Sequence, residues 1–131
     1  MSLRISLRNG ERVIINGAVL RSVGRTDVIV ENSSTVLRGR DVMKPEDANT
    51  PARRLYFSCM MAYIDEENLE THQQSLLGQL EALVAALQAP EAKAACLRFA
   101  EKVALGQFYA ALSDARWLFQ YEAQVLERDL G

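Results

Sequence analysis

Basic side chains in the first 44 residues are the groups in this chain best suited to chemistry with a ligand. The planar guanidinium group of arginine binds phosphate through two parallel hydrogen bonds and stacks on nucleobases. Such groups on the open face of small strands therefore favour contact with a nucleic acid, RNA or DNA. The candidate set consists of Arg4, Arg8, Arg21, Arg25, Arg38, Arg40 and Lys44.

An ordinary solvated strand face is the alternative interpretation of this set, because arginine also protects strand edges from aggregation. Four acidic residues, Glu11, Asp27, Glu31 and Asp41, are interspersed among the arginines and weaken the basic character of the region. The predicted strands contain no aromatic residue, which argues against a sheet that stacks bases on its own aromatics. Binding would then depend on phosphates, arginine stacking and backbone groups at strand edges.

The total charge of −2 conceals an asymmetry along the chain. Residues 1–54 hold ten Lys/Arg and six Asp/Glu, a net charge of +4, whereas residues 55–131 hold five and eleven, a net charge of −6. The basic half predicts an anionic partner, and the acidic half predicts a partner of a different kind.

Residue patterns that support catalysis or metal binding do not occur in this sequence. It has no phosphate-binding glycine loop, HExxH, GxSxG or kinase signature, and its single histidine is His72 on a predicted helix. Cys59 and Cys96 lie in helical patterns without CxxC spacing, which predicts buried reduced thiols. Since no nucleophile, base and oxyanion donor converge, we expect a protein that is not an enzyme and has no cofactor or metal.

Membrane and export signals are also missing from the sequence. No apolar segment approaches the roughly 18 residues of a membrane helix, and the first residues have no apolar core of a secretory signal. We therefore expect a cytoplasmic protein that does not bind membranes.

Short apolar strands separated by turns must position the arginines. Asn9-Gly10 and Asn16-Gly17 are strong hairpin signals, because both turn residues accept positive φ. They predict a five-stranded antiparallel β meander, a small barrel or sheet, in which the continuously apolar run Ala18–Val23 is well covered. A sheet this small cannot enclose a hydrophobic core alone. We therefore expect helices, or a second copy of the chain, to pack against its apolar face.

Helical patterns follow Lys44. Thr50-Pro51 predicts a helix start, and the segment after it is apolar almost all round, as in a buried core helix. We therefore predict an α+β fold, with residues 1–44 as a basic β module and residues 45–131 as a bundle of about four helices that completes its core.

Three aromatic residues, Tyr109, Trp117 and Tyr121, lie off the main apolar stripe of the last predicted helix. On acidic helices, such residues could hold a partner helix or chain in a groove. Packing on the sheet or on a neighbouring helix explains them equally well.

The ordered segments GERVIINGAVLR, VIVENSSTVLRGRDVM and DANTPARRLYFSCMMAYID resemble the FlbT family of flagellar regulators in alphaproteobacteria, over essentially the full chain. The resemblance implies a post-transcriptional regulator that acts at the 5′ untranslated region of flagellin mRNA, in opposition to or together with the small protein FlaF. It also implies that the strands contact RNA and the helices contact protein. The alternative is a chaperone-like factor that binds flagellin or FlaF through its helices.

Residues 3–43 also resemble the CsrA family of mRNA-binding translational regulators, in the Gly10-Glu11 turn and the five-strand spacing. In that family the first and last strands of an intertwined dimer form the RNA site. The resemblance implies a homodimer here and adds Ser6 to the candidate RNA-binding residues, beside Arg4, Arg8, Arg38 and Arg40. Gly39 departs from the family's pattern, because it interrupts the arginines of the last strand.

Overall fold

The computed structural model describes residues 2–130, with side chains described as far as Leu126. The chain divides into two compact units, residues 1–42 and residues 43–131. We call them the strand unit and the helical unit; Met1 and Gly131, which the predicted boundaries include, lie outside the described residues. The predicted α+β class, with antiparallel strands first and helices after them, is confirmed.

The strand unit contains five short strands in two antiparallel sheets. One sheet pairs β1 with β4, and the other has the order β3-β2-β5. The prediction of one continuous meander or small barrel is therefore wrong, since no barrel closes among the described strands. The bounds are β1 (Leu3–Leu7), β2 (Arg12–Ile15), β3 (Ala18–Arg21), β4 (Thr26–Val30) and β5 (Val36–Arg38).

Only one of the two Asn-Gly pairs makes the predicted hairpin. Asn16 and Gly17 both have positive φ, 50° and 83°, and form the two-residue loop between β2 and β3. This is the geometry in which the twist of the turn matches the twist of the strands.

The Asn9-Gly10 pair instead makes a turn followed by a bulge. The N–H of Glu11 donates to the carbonyl of Arg8 (3.0 Å), which closes the turn. Gly10, at φ 79°, donates its N–H to the carbonyl of Ser22, while the N–H of Ser22 donates to the carbonyl of Glu11, both at 2.9 Å. Gly10 and Glu11 together therefore lie opposite the single residue Ser22, which is a β-bulge. The bulge extends the β2–β3 hairpin and does not join β1 to β2.

The core of the strand unit lies between its two sheets. Ile5, Leu7 and Val13 are buried, and the partly buried side chains of Ile15, Val28, Val30 and Val36 pack against them. Arg4 and Ser6 alternate with the buried residues of β1 and are exposed, as the sequence pattern predicts. All four residues of β3 are exposed, so the predicted cover of that strand is wrong for the described chain.

Gly39 lies against the backbone of Arg12 at the end of β5. A Cβ atom at Gly39 would lie 2.8 Å from the carbonyl oxygen of Arg12, which is closer than real Cβ atoms come to backbone. The missing side chain therefore allows the start of a short 3₁₀ helix, Gly39–Asp41, to contact β2.

The helical unit contains four α-helices and short 3₁₀ helices. The prediction of about four helices did not count the short 3₁₀ elements Pro45–Asp47 and Glu66–Asn68, so the structure has more helical elements than predicted. The α-helices are α1 (Pro51–Ile64), α2 (Leu69–Ala86), α3 (Pro90–Ala104) and α4 (Phe108–Leu130). No helix among the described residues is long and apolar enough to span a bilayer.

Helix α1 begins as the sequence predicts and is the centre of the helical unit. Thr50 Oγ1 accepts a hydrogen bond from the N–H of Arg53 (3.3 Å), and Pro51 occupies the first turn. Helix α1 packs against α2 and α4, and α3 packs against α4. Glu122 on α4 accepts a hydrogen bond from the N–H of Ala52 (3.0 Å). That the helical unit also completes the core of the strand unit stays a prediction.

Replacing Gly39 by alanine is expected to destabilise the strand unit by about 1–3 kcal/mol, because the new methyl group overlaps the backbone of Arg12. The matched control is Gly78→Ala in α2, where a Cβ atom meets nothing within 4 Å and the helix gains roughly 0.5–1 kcal/mol. Urea unfolding of both variants, followed by circular dichroism, measures the difference. Equal stability of Gly39→Ala and the wild type would contradict the close contact.

Candidate nucleic-acid interface

Residues 8–12 and residues 38–40 face one another across an open groove of about 760 Å³ in the strand unit. The turn and bulge after β1 shape one side, and the end of β5 with the following 3₁₀ turn shapes the other. We call this feature the arginine groove. Its lining residues are Arg8, Asn9, Gly10, Glu11, Arg12, Arg38, Gly39 and Arg40.

A second depression of about 580 Å³ shares part of the lining of the arginine groove. The shared residues are Arg8, Asn9, Glu11 and Arg38, so the two depressions are continuous. The second one adds Ser6, Leu7 and Arg25. Together the two depressions bring five of the eight predicted RNA-binding residues to one surface: Ser6, Arg8, Arg25, Arg38 and Arg40. The other three, Arg4, Arg21 and Lys44, line neither depression.

Arg38 connects three parts of the strand unit at the centre of this surface. Its Nη2 donates to the backbone carbonyl of Ser6 (2.7 Å) and to the carboxylate of Glu11 (3.3 Å). Glu11 also accepts a hydrogen bond from the N–H of Arg8 (3.0 Å). The hydrogen bond from Arg8, and then the contact with Arg38, lower the pKa of Glu11. Arg38 therefore holds β5 to β1, and an acid of the same chain balances its charge.

Arg4 and Ser6 share a different acid on the outer face of the β1–β4 sheet. Arg4 Nη2 lies 3.1 Å from one carboxylate oxygen of Asp27, and Ser6 Oγ donates to the other oxygen (2.8 Å). The Ser6 hydrogen bond, followed by Arg4, lowers the pKa of Asp27. Both predicted residues are thus engaged within the chain, although Arg4 remains mostly exposed.

Four exposed arginines of this surface make no ion pair or side-chain hydrogen bond with any described residue: Arg8, Arg12, Arg25 and Arg40. Unpaired guanidinium groups around an open groove can bind phosphate oxygens without first breaking an internal contact. Arg21 lies opposite Arg12 on β3, outside the groove. Lys44 is exposed and belongs to the helical unit.

Arg12 is the groove residue that sequence reasoning missed. It is the first residue of β2 and directly follows the bulge at Gly10 and Glu11. The sequence signal for Arg12 is its position two residues after the Asn9-Gly10 pair. A meander, however, puts that pair in a hairpin between β1 and β2 and gives Arg12 no special place. The bulge places Arg12 beside Gly39 and hence in the groove.

The aromatic residues of α4 pack against neighbouring rings. Trp117 and Tyr121 stack in parallel with their ring centres 5.3 Å apart, and Tyr109 lies 5.4 Å from Tyr63 on α1. Trp117 and Tyr121 are half-buried, whereas Tyr109 is exposed. The stacking of Trp117 on Tyr121 therefore supports the interpretation that these two rings pack within the chain.

The remaining reactive side chains of the helical unit are buried or paired within the chain. The thiols of Cys59 and Cys96 are free and buried as predicted, and burial raises the pKa of Cys59 to about 12. His72 Nε2 lies 2.9 Å from a carboxylate oxygen of Asp65, which joins α2 to the end of α1. Among the described residues no group of three or more His, Cys, Asp or Glu side chains could hold a metal ion.

Comparison with known proteins identifies relatives along nearly the whole chain. The family model described as "Flagellar protein FlbT" matches residues 3–126. No solved structure matches the chain significantly.

Individual relatives carry flagellar names. A "Probable flagellum biosynthesis repressor protein FlbT" of Caulobacter sp. (strain K31) is 37% identical over 127 residues, covering 96% of this chain and 97% of the relative. The "Flagellum biosynthesis repressor protein FlbT" of Caulobacter vibrioides (strain ATCC 19089 / CIP 103742 / CB 15) is 35% identical and covers 96% and 90%. A probable repressor of that name in Allorhizobium ampelinum is 38% identical and covers 95% and 84%.

The strand unit is expected to lose stability in acid because folding lowers the pKa of Glu11 below its ordinary value of 4.5. The folded state then binds fewer protons than the unfolded chain, so this contribution is present above pH 4.5 and is lost as the pH falls through the folded-state pKa. Glu11→Gln removes the contribution, so the variant is less stable at neutral pH and its stability falls less steeply in acid.

Urea midpoints measured between about pH 7 and about pH 3 test this linkage. Glu31→Gln is the control, because it removes the same charge from an exposed position outside the groove and leaves stability at neutral pH unchanged. Identical acid profiles for Glu11→Gln and the wild type would show that the Glu11 contacts contribute nothing.

Proposed function

The chain belongs to the FlbT family of flagellar proteins, and we propose that it regulates flagellin synthesis after transcription by binding the 5′ untranslated region of flagellin mRNA. The names of its relatives, flagellum biosynthesis repressors, support control of flagellar synthesis. The observation that carries the RNA proposal is the arginine groove, where the guanidinium groups of Arg8, Arg12 and Arg40 make no ion pair or side-chain hydrogen bond with a described residue.

The groove fits the phosphate backbone of RNA better than it fits a small ligand. Its arginine side chains are spread along the open groove, whose volume is about 760 Å³, and along the adjoining depression, so several phosphates can bind at once. Each guanidinium presents two parallel donors to one phosphate. Neutralising phosphates releases counterions, which makes such binding strong at low salt and weak at high salt.

Recognition of bases would use groups other than aromatic rings, since the strand unit contains none. Unstacked bases in loops or single strands can stack on guanidinium planes and bond to backbone groups. Single-stranded or looped segments of the flagellin leader are therefore the preferred target. Control of translation or of mRNA stability would follow from occupying that segment.

Several sequence-based expectations accompany this proposal and stay predictions. They are the absence of catalytic activity and of a cofactor, a cytoplasmic location, and contact with a FlaF-like protein or with flagellin. A homodimer is supported by the strand order, because β1 and β5 each end a sheet and could pair with a second copy. The strand unit nevertheless brings both sides of the arginine groove together within one chain.

A second candidate function is protein binding through the helices, as in a chaperone-like factor for flagellin or FlaF. The observation that favours it is a pair of exposed apolar residues on one face of α2, Leu77 and Val84, which are seven residues apart and are 56% and 40% exposed. Exposed apolar residues at this helical spacing can contact an amphipathic helix.

Removing two groove charges together, Arg12→Gln with Arg40→Gln, is expected to weaken binding to a flagellin leader RNA and to flatten its salt dependence. The slope of log K against log salt falls by about 1.4, or about 0.7 for each of two lost single-strand phosphate contacts. Fluorescence anisotropy with labelled leader RNA at several salt concentrations measures both effects.

The matched control for that variant is Arg54→Gln with Lys93→Gln, which removes two positive charges from exposed positions of the helical unit. We expect the control to keep the wild-type slope. Equal slopes for all three proteins would contradict the groove as the RNA site. A complex with flagellin or a FlaF-like protein that survives nuclease treatment, with no shift of leader RNA, would favour the second candidate function.

A mixing experiment tests whether one chain forms the whole groove. Arg8→Gln and Arg40→Gln alter opposite sides of it. Because both sides lie in the same chain, refolding the two variants together should restore no binding beyond the average of the two alone. Recovery toward wild-type affinity, together with a dimer in sedimentation velocity, would show that two copies share the site.

A further inference from the structure

An apolar slot of about 230 Å³ opens beside β3, between the two sheets of the strand unit. Its inner wall is formed by core residues of β1, β2 and β4, and Leu20 and Val23 stand at its mouth. Among the described residues that line the slot, Arg21 is the only charged one. The slot does not share a lining residue with the arginine groove.

Apolar side chains beside the slot are exposed to solvent in the described chain. Val19 is 63% exposed, Leu20 is 48% exposed and Val23 is 87% exposed. The sequence pattern of this run is that of a covered strand, so its exposure marks a surface that fits a partner.

β3 is also an edge strand with free backbone groups. It pairs with β2 on one side, and no described strand pairs with its other side. The two-residue loop at Asn16-Gly17 closes on a hydrogen-bonded pair, Ile15 and Ala18, and the bonding alternates from there. The N–H and C=O groups of Val19 and Arg21 therefore point away from β2. The N–H of Ser22 donates to the carbonyl of Glu11, which agrees with this alternation, because the backbone groups of Ala18, Leu20 and Ser22 then all face the β2 side.

We propose that β3 and the slot form a docking site for an extended segment of another protein. The segment pairs with the free edge of β3, inserts an apolar side chain into the slot beside Leu20, and places a carboxylate beside Arg21. Neighbouring side chains of a strand point to opposite faces, so a segment that alternates apolar and acidic residues satisfies both contacts. This site shares no lining residue with the arginine groove, although Arg21 lies opposite Arg12 on the neighbouring strand, and it does not rest on the RNA proposal.

The charge and size of the site favour this occupant over two others. A second copy of β3 supplies no acidic residue to Arg21, because β3 reads Ala-Val-Leu-Arg. A slot of about 230 Å³ is smaller than typical small-molecule cavities of roughly 300–1,000 Å³ but has room for an apolar side chain. The free backbone groups next to the slot add hydrogen bonds that only a peptide strand uses fully.

The test uses the full chain and a fluorescein-labelled octapeptide that alternates valine and glutamate. A matched peptide carries lysine in place of each glutamate. We expect the acidic peptide to bind roughly fivefold or more tightly than the lysine peptide, which is the scale of one or more exposed ion pairs. Hydrogen exchange measured by NMR should slow at the amides of Val19 and Arg21 on saturation, because the added strand occupies their N–H groups.

Two variants at one position separate backbone pairing from general apolar contact. Val19→Pro removes an outward N–H without a loss to the β2 ladder, and we expect it to abolish peptide binding while leaving the circular dichroism spectrum of the protein unchanged. Val19→Thr keeps the N–H and should bind like the wild type.

Three results would overturn the proposal. They are equal binding of the acidic and lysine peptides, unchanged exchange at Val19 and Arg21 in the saturated wild-type protein, and protection of these amides in the free protein that rises with protein concentration. The last result would assign the edge to a second copy. The exchange measurement uses the wild-type protein, so it remains decisive even if Val19→Pro fails to fold.

Discussion

The geometry of the strand unit depends on the hydrogen bonds that the guanidinium group of Arg38 donates. This group joins β5 to the backbone of β1 at Ser6 and to the turn at Glu11. A charge-assisted hydrogen bond of this kind is stronger than a neutral one, and it holds β5 to β1, which no pairing among the described strands connects. The close contact of Gly39 with the backbone of Arg12 then joins the two sides of the groove.

This arrangement divides the arginines into two classes with different physical roles. Arg4 and Arg38 neutralise acids of the same chain, Asp27 and Glu11, so an anionic ligand would have to compete with those carboxylates. The arginines without an ion pair or side-chain hydrogen bond to a described residue surround the groove, so a phosphate can bind them without displacing a carboxylate in direct contact. A net basic composition therefore overstates the binding surface, because ion pairing within the chain removes part of it.

The two sheets leave edges as well as a groove, and edges are a second means of recognition. An unpaired strand offers backbone donors and acceptors to any chain of suitable shape, so proteins cover or use such edges. β3 combines its free edge with exposed apolar residues and with one cation, Arg21. RNA and protein partners would therefore use adjacent surfaces of the strand unit. The groove and the slot have different lining residues, but Arg12 of the groove and Arg21 of the slot lie opposite each other on β2 and β3.

The sequence by itself determined the fold class, the positions of strands and helices, and the family, because these follow from local hydrophobic periods, turn chemistry and residue order. Only the tertiary structure decided which strands pair. A positive φ at Gly10 is compatible with a β-bulge as well as with a hairpin turn, so the Asn9-Gly10 pair by itself does not distinguish the two. The same limit applied to the site. Whether an arginine is free or paired depends on which acid lies across the sheet, and that is set by pairing between residues such as Ser6 and Asp27, 21 positions apart.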